Sequence, residues 1–345
     1  MALIGTINSG NNLTFKNKLI NGNFDFWQRL TTGTATAIWE VKTADRWGGH
    51  FDSGAAGVYS RSTNVPDSAS TYSMRMTGAS GGTSAYLDQR VEASEMREII
   101  AKGAVTISGW VRRVGSPTAT LSLNLICPTA SDNYSSYTTH GAVFTVNNTI
   151  TGNASAGSSA MTLTDNSTWY YFTMTDTSIA SRTNIANGAQ FYFAIGGMDA
   201  NTKYFEFARI QVEAGTVATP FEFRPPSVEL ALCQRYYEKS YSLDVNPGTS
   251  SLPGLTYASC GSNLVPYAYG FMTMVFKVTK RSIPAMVIYS PAGTANRVAD
   301  GDQNTYATVQ TQAVGARSAI VQNLSGTLAP SAGMTCAHFT ADSEI

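Results

Sequence analysis

Charge is scarce in this chain. Of 345 residues only 13% are Asp, Glu, Lys or Arg, about half the usual quarter, and 23 basic residues balance 23 acidic ones. Phosphate binding needs a basic surplus, so the balance speaks against a nucleic-acid partner. Long apolar runs are missing too. None reaches the roughly 18 residues a membrane-spanning helix requires, and Met1-Ala2-Leu3-Ile4-Gly5-Thr6 has neither the basic start nor the apolar block of a secretory signal. The four cysteines, Cys127, Cys233, Cys260 and Cys336, show no C-x-x-C spacing, which argues against zinc or redox chemistry and for reduced, buried thiols in a chain folded in a cytosol. The three histidines, His50, His140 and His338, form no metal-ligand pattern. There is no P-loop or dinucleotide fingerprint, and the expected cofactor set is empty. No heptad or longer repeat occurs, which excludes a shaft or solenoid within the chain.

What the chain has instead is alternation. Leu121, Leu123 and Leu125 interleave with Thr120, Ser122 and Asn124; Val105, Ile107 and Val111 run past Gly109; Tyr72, Met74 and Met76 share a face. Phe172 and Met174 face away from Trp169, Tyr171 and Thr173, and Phe191, Phe193 and Ile195 form one more stripe. These are half-buried strands, and Gly, Asn and Ser between them predict an antiparallel sandwich. Phe205 and Phe207 have one parity but Ile210 and Val212 the other, so burying all four demands a bulge near Ala208-Arg209.

Two helices are expected. One runs from Ala93 to Gly103, with Ser94 as N-cap and Gly103 as terminator. The other runs from Ser227 to about Lys239 behind Pro225-Pro226, capped by Ser227, with Leu230, Cys233 and Tyr237 on one stripe. The proline-rich joint divides a larger sandwich from a smaller β domain. The boundaries are an arm over 1–16, the sandwich over 17–224, a linker helix over 225–240 and the β domain over 241–345. In the β domain, Phe271 to Val278 is apolar on both faces, which fits either an internal strand or a subunit contact. His338, on an alternating segment, is expected to face solvent or a neighbouring chain.

Candidate chemistry is sparse. Gly78-Ala79-Ser80-Gly81-Gly82 matches G-x-S-x-G, but an extended segment follows where a nucleophile elbow needs a helix, so it reads as a hairpin turn. Asp300-Gly301-Asp302-Gln303-Asn304 resembles half a calcium loop. It lacks the glycine and glutamate of an EF-hand, so Asp300, Asp302 and Asn304 are metal candidates only against the alternative of a polar turn. Aromatics are the real resource, with 5 Trp, 17 Tyr and 15 Phe. Tyr134, Tyr137 and His140 lie among Ser, Thr and Asn, where exposed rings can stack on sugar faces while polar neighbours bond the hydroxyls. The alternative is a loop whose tyrosines lie on their own domain.

Several blocks together resemble a family of tailed-bacteriophage virion proteins of the tail-fibre type. They are Asn17 to Arg29 (Asn-Lys-Leu-Ile-Asn-Gly-Asn-Phe-Asp-Phe-Trp-Gln-Arg), Thr43-Ala44-Asp45-Arg46-Trp47, Gly103 to Val111, Ala208 to Gly215, Thr219 to Pro226, Glu229 to Lys239 and His338 to Ile345. The resemblance implies a jelly roll similar to carbohydrate-binding modules, a C-terminal β domain and a homotrimer, with no catalytic residue set. Trp27 and Trp47 read as core. The expectation is a non-enzymatic protein on the virion exterior, at tail or head, made in the bacterial host cytoplasm. It would be held to other virion proteins by the arm and would present the sandwich to host-surface polysaccharide. The alternatives are an inert head decoration, spike or fibre connector, or a polysaccharide depolymerase.

Overall fold

Each alternating stripe becomes a strand with its large apolar side chains turned inward. The computed structural model describes residues 15–36, 40–52, 55–115, 119–147, 156–163, 167–259, 271–303, 305–325 and 334–345. The arm apart from Phe15 and Lys16, Cys260 and Asn304 lie outside the described residues.

The first fourteen strands are β1 (Thr32–Ala35), β2 (Val41–Lys42), β3 (Gly48–Phe51), β4 (Gly57–Ser62), β5 (Ser73–Thr77), β6 (Ser84–Val91) and β7 (Val105–Val114). They continue as β8 (Ala119–Ala130), β9 (Asn133–Gly141), β10 (Thr145–Val146), β11 (Ala160–Leu163), β12 (Trp169–Asp176), β13 (Ala189–Gly196) and β14 (Tyr204–Ala214). They make two antiparallel sheets packed face to face. Sheet I has the order β1-β4-β5-β14-β7-β12-β10; sheet II has β11-β8-β13-β6-β3-β2, with β9 added beside β8. The inward residues form one core that includes Leu121, Leu123, Phe172, Met174, Phe191, Phe193, Phe205 and Phe207. Trp27 and Trp47 are buried in it, and their indole N–H groups donate to the Phe24 and Asn21 carbonyls at 2.6 and 3.0 Å.

The expected bulge is present. The β14–β7 register shifts between Ala208 and Gln211, and Arg209 takes φ 51°. Phe205, Phe207, Ile210 and Val212 all reach the core. The Ile210 N–H donates to the Gly22 carbonyl at 2.8 Å, and a Cβ on Gly22 would collide with the Ile210 carbonyl oxygen. The close approach explains why glycine stands at that turn.

Helix α1 (Ala93–Lys102) ends as read, on Gly103 at φ 72°. Its start corrects the expectation. Ser94 lies inside the first turn and Glu92 is the boundary residue, with no side-chain cap of its own. Asp132, from the β8–β9 turn, accepts the Ala93 N–H at 2.7 Å, so a distant carboxylate does the capping. The Gly78–Gly82 segment is also no hairpin, because it carries the chain from β5 in sheet I to β6 in sheet II.

The linker helix is shorter than expected. Helix α2 (Pro226–Gln234) starts at Pro225, and Ser227 makes no cap. It stops before Tyr237, because Tyr237–Lys239 forms β15 and pairs with Asp342, Ala341 and Thr340. A strand partner far along the chain overrides the local helical stripe.

The remaining strands are β16 (Thr256–Ser259), β17 (Phe271–Val275), β18 (Ala285–Tyr289), β19 (Arg297–Asp300), β20 (Tyr306–Gln312), β21 (Ser318–Ser325) and β22 (Met334–Asp342). With β15 they form an eight-stranded antiparallel sheet around β22, which pairs with β15, β16, β18 and β19. A second core gathers Met272, Met274, Ile288, Val298, Val321 and Phe339. Strand β17 ends the sheet order and buries one face only, since Val275 is 70% exposed. His338 is fully buried, correcting its expected exposure. Its ring stacks on Tyr241 at 3.8 Å, and its nitrogens meet Ser240 Oγ and the Ser251 carbonyl, each at 3.0 Å.

Arginines of the sandwich clasp the end of β22. Arg29 pairs with Asp342 at 2.7 Å and Glu344 at 3.2 Å, Arg46 pairs with Glu344, and the two guanidinia lie over the Tyr237 and Tyr236 rings.

Candidate functional site

The outward faces of the sandwich carry the exposed chemistry. On sheet II, Ala85, Leu87, Phe191, Phe193 and Leu123 point into the core, so the residues between them point out. In register, His50 lies opposite Tyr86, Asp88 opposite Tyr192, and Tyr192 opposite Asn124. Tyr137 lies opposite Pro128 on the same outward parity. A run of three rings, His50, Tyr86 and Tyr192, therefore crosses β3, β6 and β13, while Tyr137 stands on the same face about 13 Å farther along the strand direction, opposite a residue four places beyond Asn124 on β8. Two strand spacings make the run about 10 Å wide.

The rings are neighbours. His50 stacks on Tyr86 at 4.5 Å and 12°, and Tyr86 lies 6.0 Å from Tyr192. Tyr137 is 55% exposed. Burial raises the Tyr192 hydroxyl above its ordinary range, and Tyr86, Tyr137 and Asp88 add to this. Burial lowers the His50 imidazole, against the pull of Glu40 and Asp52, which favours the neutral ring. The row thus offers uncharged π faces beside amide groups of Asn124 and Gln190. That combination stacks on apolar ring faces and bonds hydroxyl groups.

Beside the row sits Asp88, nearly sealed from solvent. Burial, then the nearby Glu40 carboxylate, pushes its carboxyl up to about 6, while Arg90 and a hydrogen bond with Gln190 pull the other way. Glu40 fills the space a Cβ on Gly48 would occupy. Because the native carboxyl holds its proton more tightly than the unfolded one, its stabilising contribution is complete below pH 4 and is lost as pH rises through 6. Asp88→Asn is therefore expected to stabilise the protein by about 1–2 kcal/mol at pH 7 and not at pH 4. Denaturant titrations at the two pH values check this.

Of the residues singled out from sequence, only Tyr137 shares this outward face, and it stands apart from the three rings. Tyr134 has the opposite parity on β9. Its hydroxyl is buried without a hydrogen-bond partner, and Arg90 lies over its ring at 4.7 Å, so it is not the exposed ring expected. His140 Nε2 contacts the Thr183 carbonyl at 2.9 Å. Alternation separates these side chains because the segment is a strand rather than a loop. Among the metal candidates, Asp300 is fully buried, and its carboxylate accepts the Thr305 N–H and hydroxyl at 3.2 and 2.7 Å. Asn304 lies outside the described residues. Among the described residues, no group of three or more His, Cys, Asp or Glu could hold a metal ion, and no helix is long and apolar enough to cross a membrane.

Sequence reasoning missed His50, Tyr86 and Tyr192. The signal for Tyr192 was present, since it lies between Phe191 and Phe193. That a solvated face should be aromatic rather than Ser, Thr or Lys was the clue left unused.

No family profile matches this chain, and no curated protein matches it. Among solved structures it is similar to a putative sugar-binding protein from Bacteroides thetaiotaomicron, at 14% identity and a TM-score of 0.38 over 57% of this chain and 99% of that one. It is also similar to a family 11 carbohydrate-binding module from Clostridium thermocellum, solved with a mixed-linked tetrasaccharide, at 12% identity and a TM-score of 0.31 over 55% and 99%. A third is the enzymatically active domain of tailspike protein 4 of bacteriophage CBA120, at 12% identity and a TM-score of 0.29 over 58% and 21%. These likenesses are loose. The sandwich and its site stand on the strand pairing and side-chain geometry above.

Proposed function

We propose that the sandwich is a non-catalytic carbohydrate-binding module that holds a neutral polysaccharide chain across the outer face of sheet II. The observation that carries this reading is the run His50-Tyr86-Tyr192, three half-buried rings in contact on the outer face of sheet II, with the exposed Tyr137 farther along the same face. A chain laid across the strands would stack successive pyranose faces on the rings and take hydrogen bonds from Asn124 and Gln190. Binding at one site is weak, and several copies acting together raise it. The sequence blocks quoted above support placing the module on a phage virion, as a homotrimeric tail-fibre or receptor-binding protein that attaches to host-surface glycans. Head decoration is the competing placement, and gold labelling of particles separates tail tip from capsid.

A glycan array with purified protein tests the function. Selective retention of neutral polysaccharides is expected, and uniform silence overturns the proposal. The retained polysaccharides should release no reducing ends on incubation; release would make the protein a depolymerase.

A further inference from the structure

The outer face of sheet I carries a second, differently charged platform. In register, Arg75 lies opposite Glu206, Glu206 opposite Arg112, and Arg112 opposite Trp169. The row crosses β5, β14, β7 and β12, about 14 Å. Beside it, Trp110 lies opposite Tyr171, with ring centroids 5.5 Å apart. Ala208, opposite Trp110 on β14, leaves a low place next to the rings.

Glu206 is fully buried and fixes the arginines. It accepts from Arg75 Nε at 2.8 Å and Arg112 at 2.5 Å, and also from Ser62 and Asn64. Asn64 in turn accepts the Trp169 indole N–H at 3.4 Å. Arg209, raised on the bulge, lies 5.6 Å over Trp110 and pairs with Asp67 at 2.6 Å. Three guanidinia thus meet two carboxylates, and Tyr171 and the Arg75 side chain remain 38% and 34% exposed. The face of sheet II differs, since its carboxylates Glu40, Asp52 and Asp88 are interspersed with Lys42 and Arg90 and, among the described residues, no arginine cluster flanks its rings.

A solvated sheet face has no need of two tryptophans and a tyrosine beside preorganised guanidinia. Rings receive the C–H face of a sugar; a guanidinium fork receives a carboxylate. We infer that the outer face of sheet I is a second saccharide site, selective for polysaccharides built from carboxylated sugars. The inference stands independently of the site on sheet II, since the two faces lie on opposite sides of the sandwich.

The test is affinity electrophoresis of the full chain in gels containing polygalacturonate, neutral galactan or dextran sulfate. Retardation by polygalacturonate is expected, falling about tenfold in Tyr171→Ala and in Arg75→Gln and weakening with added salt. Tyr86→Ala/Tyr192→Ala should leave it unchanged. Thermal melting of each variant confirms that it is folded. No retardation by polygalacturonate overturns the inference. So does equal retardation by dextran sulfate that survives Tyr171→Ala, which would mean anion binding without ring recognition. Self-association that Tyr171→Ala abolishes, with no polygalacturonate binding, would assign the face to a second copy instead.

Discussion

Lys280→Met should lower stability by about 3–5 kcal/mol. Lys280 and Glu238 form an ion pair with side chains 0% and 1% exposed. The ammonium also donates to the Gln234 carbonyl at 2.5 Å, and the carboxylate accepts the Lys277 N–H at 2.9 Å. Methionine fills the volume of the lysine stem but leaves the Glu238 carboxylate buried and one partner short, so the desolvation of that charge is no longer offset. The loss falls at a structural junction. Lys280 N–H donates to the Ala316 carbonyl, and Arg281 N–H to the Arg235 carbonyl just beyond α2, so this corner ties helix α2 to the C-terminal sheet. Replacing both members, as Lys280→Met/Glu238→Met, should recover most of the loss, because no unpaired charge then remains. Denaturant midpoints of the two variants decide the matter. A loss below about 1 kcal/mol in the single variant would show that solvent reaches the pair.

Tyr86→Ala/Tyr192→Ala should cut affinity for the retained neutral polysaccharide about 100-fold. Each ring contributes about 1.5 kcal/mol through stacking and covered area, and 1.4 kcal/mol is a factor of ten. The two side chains are half-buried on the outer face, with alanine already beside them at Ala194, so the core is untouched and the melting temperature should barely move. Tyr137→Ala, farther along the same face, should cost about tenfold for a chain long enough to reach it. Titration calorimetry with an oligosaccharide from the array measures these losses at one site, free of the avidity that would mask them. Unchanged affinity in the double variant would place the ligand elsewhere.

The alternation of apolar residues marked the strands, and the parity break around Ala208-Arg209 marked the bulge, because a strand has only two faces and a core accepts one of them. Gly103 marked the end of α1 for an equally local reason, its positive φ. The helix starts were misread because residues other than the two serines decided them, a distant one for α1 and the preceding proline for α2. Ser94 and Ser227 have the chemistry of caps, but Asp132 accepts the Ala93 N–H, and Pro225 opens α2. His338 was misplaced for a related reason. Its strand, β22, has neighbours on both edges, and Tyr241 covers its ring.

The site was half visible. Tyr137 could be found because polar neighbours surround it in sequence, whereas Tyr192 was betrayed only by its alternation with Phe191 and Phe193, and Tyr86 by its alternation with Ala85 and Leu87. His50, Tyr86 and Tyr192 come from three separate strands, and their adjacency, like the presence of Tyr137 on the same face, exists only through the order β9-β8-β13-β6-β3. Residue pattern alone determined that this chain builds stacked antiparallel sheets, since parity and turn chemistry are local properties. Which rings share a row, and which face gathers carboxylates or guanidinia, was decided by the pairing of strands, because register sets what lies within a few ångströms and no short window of sequence contains it.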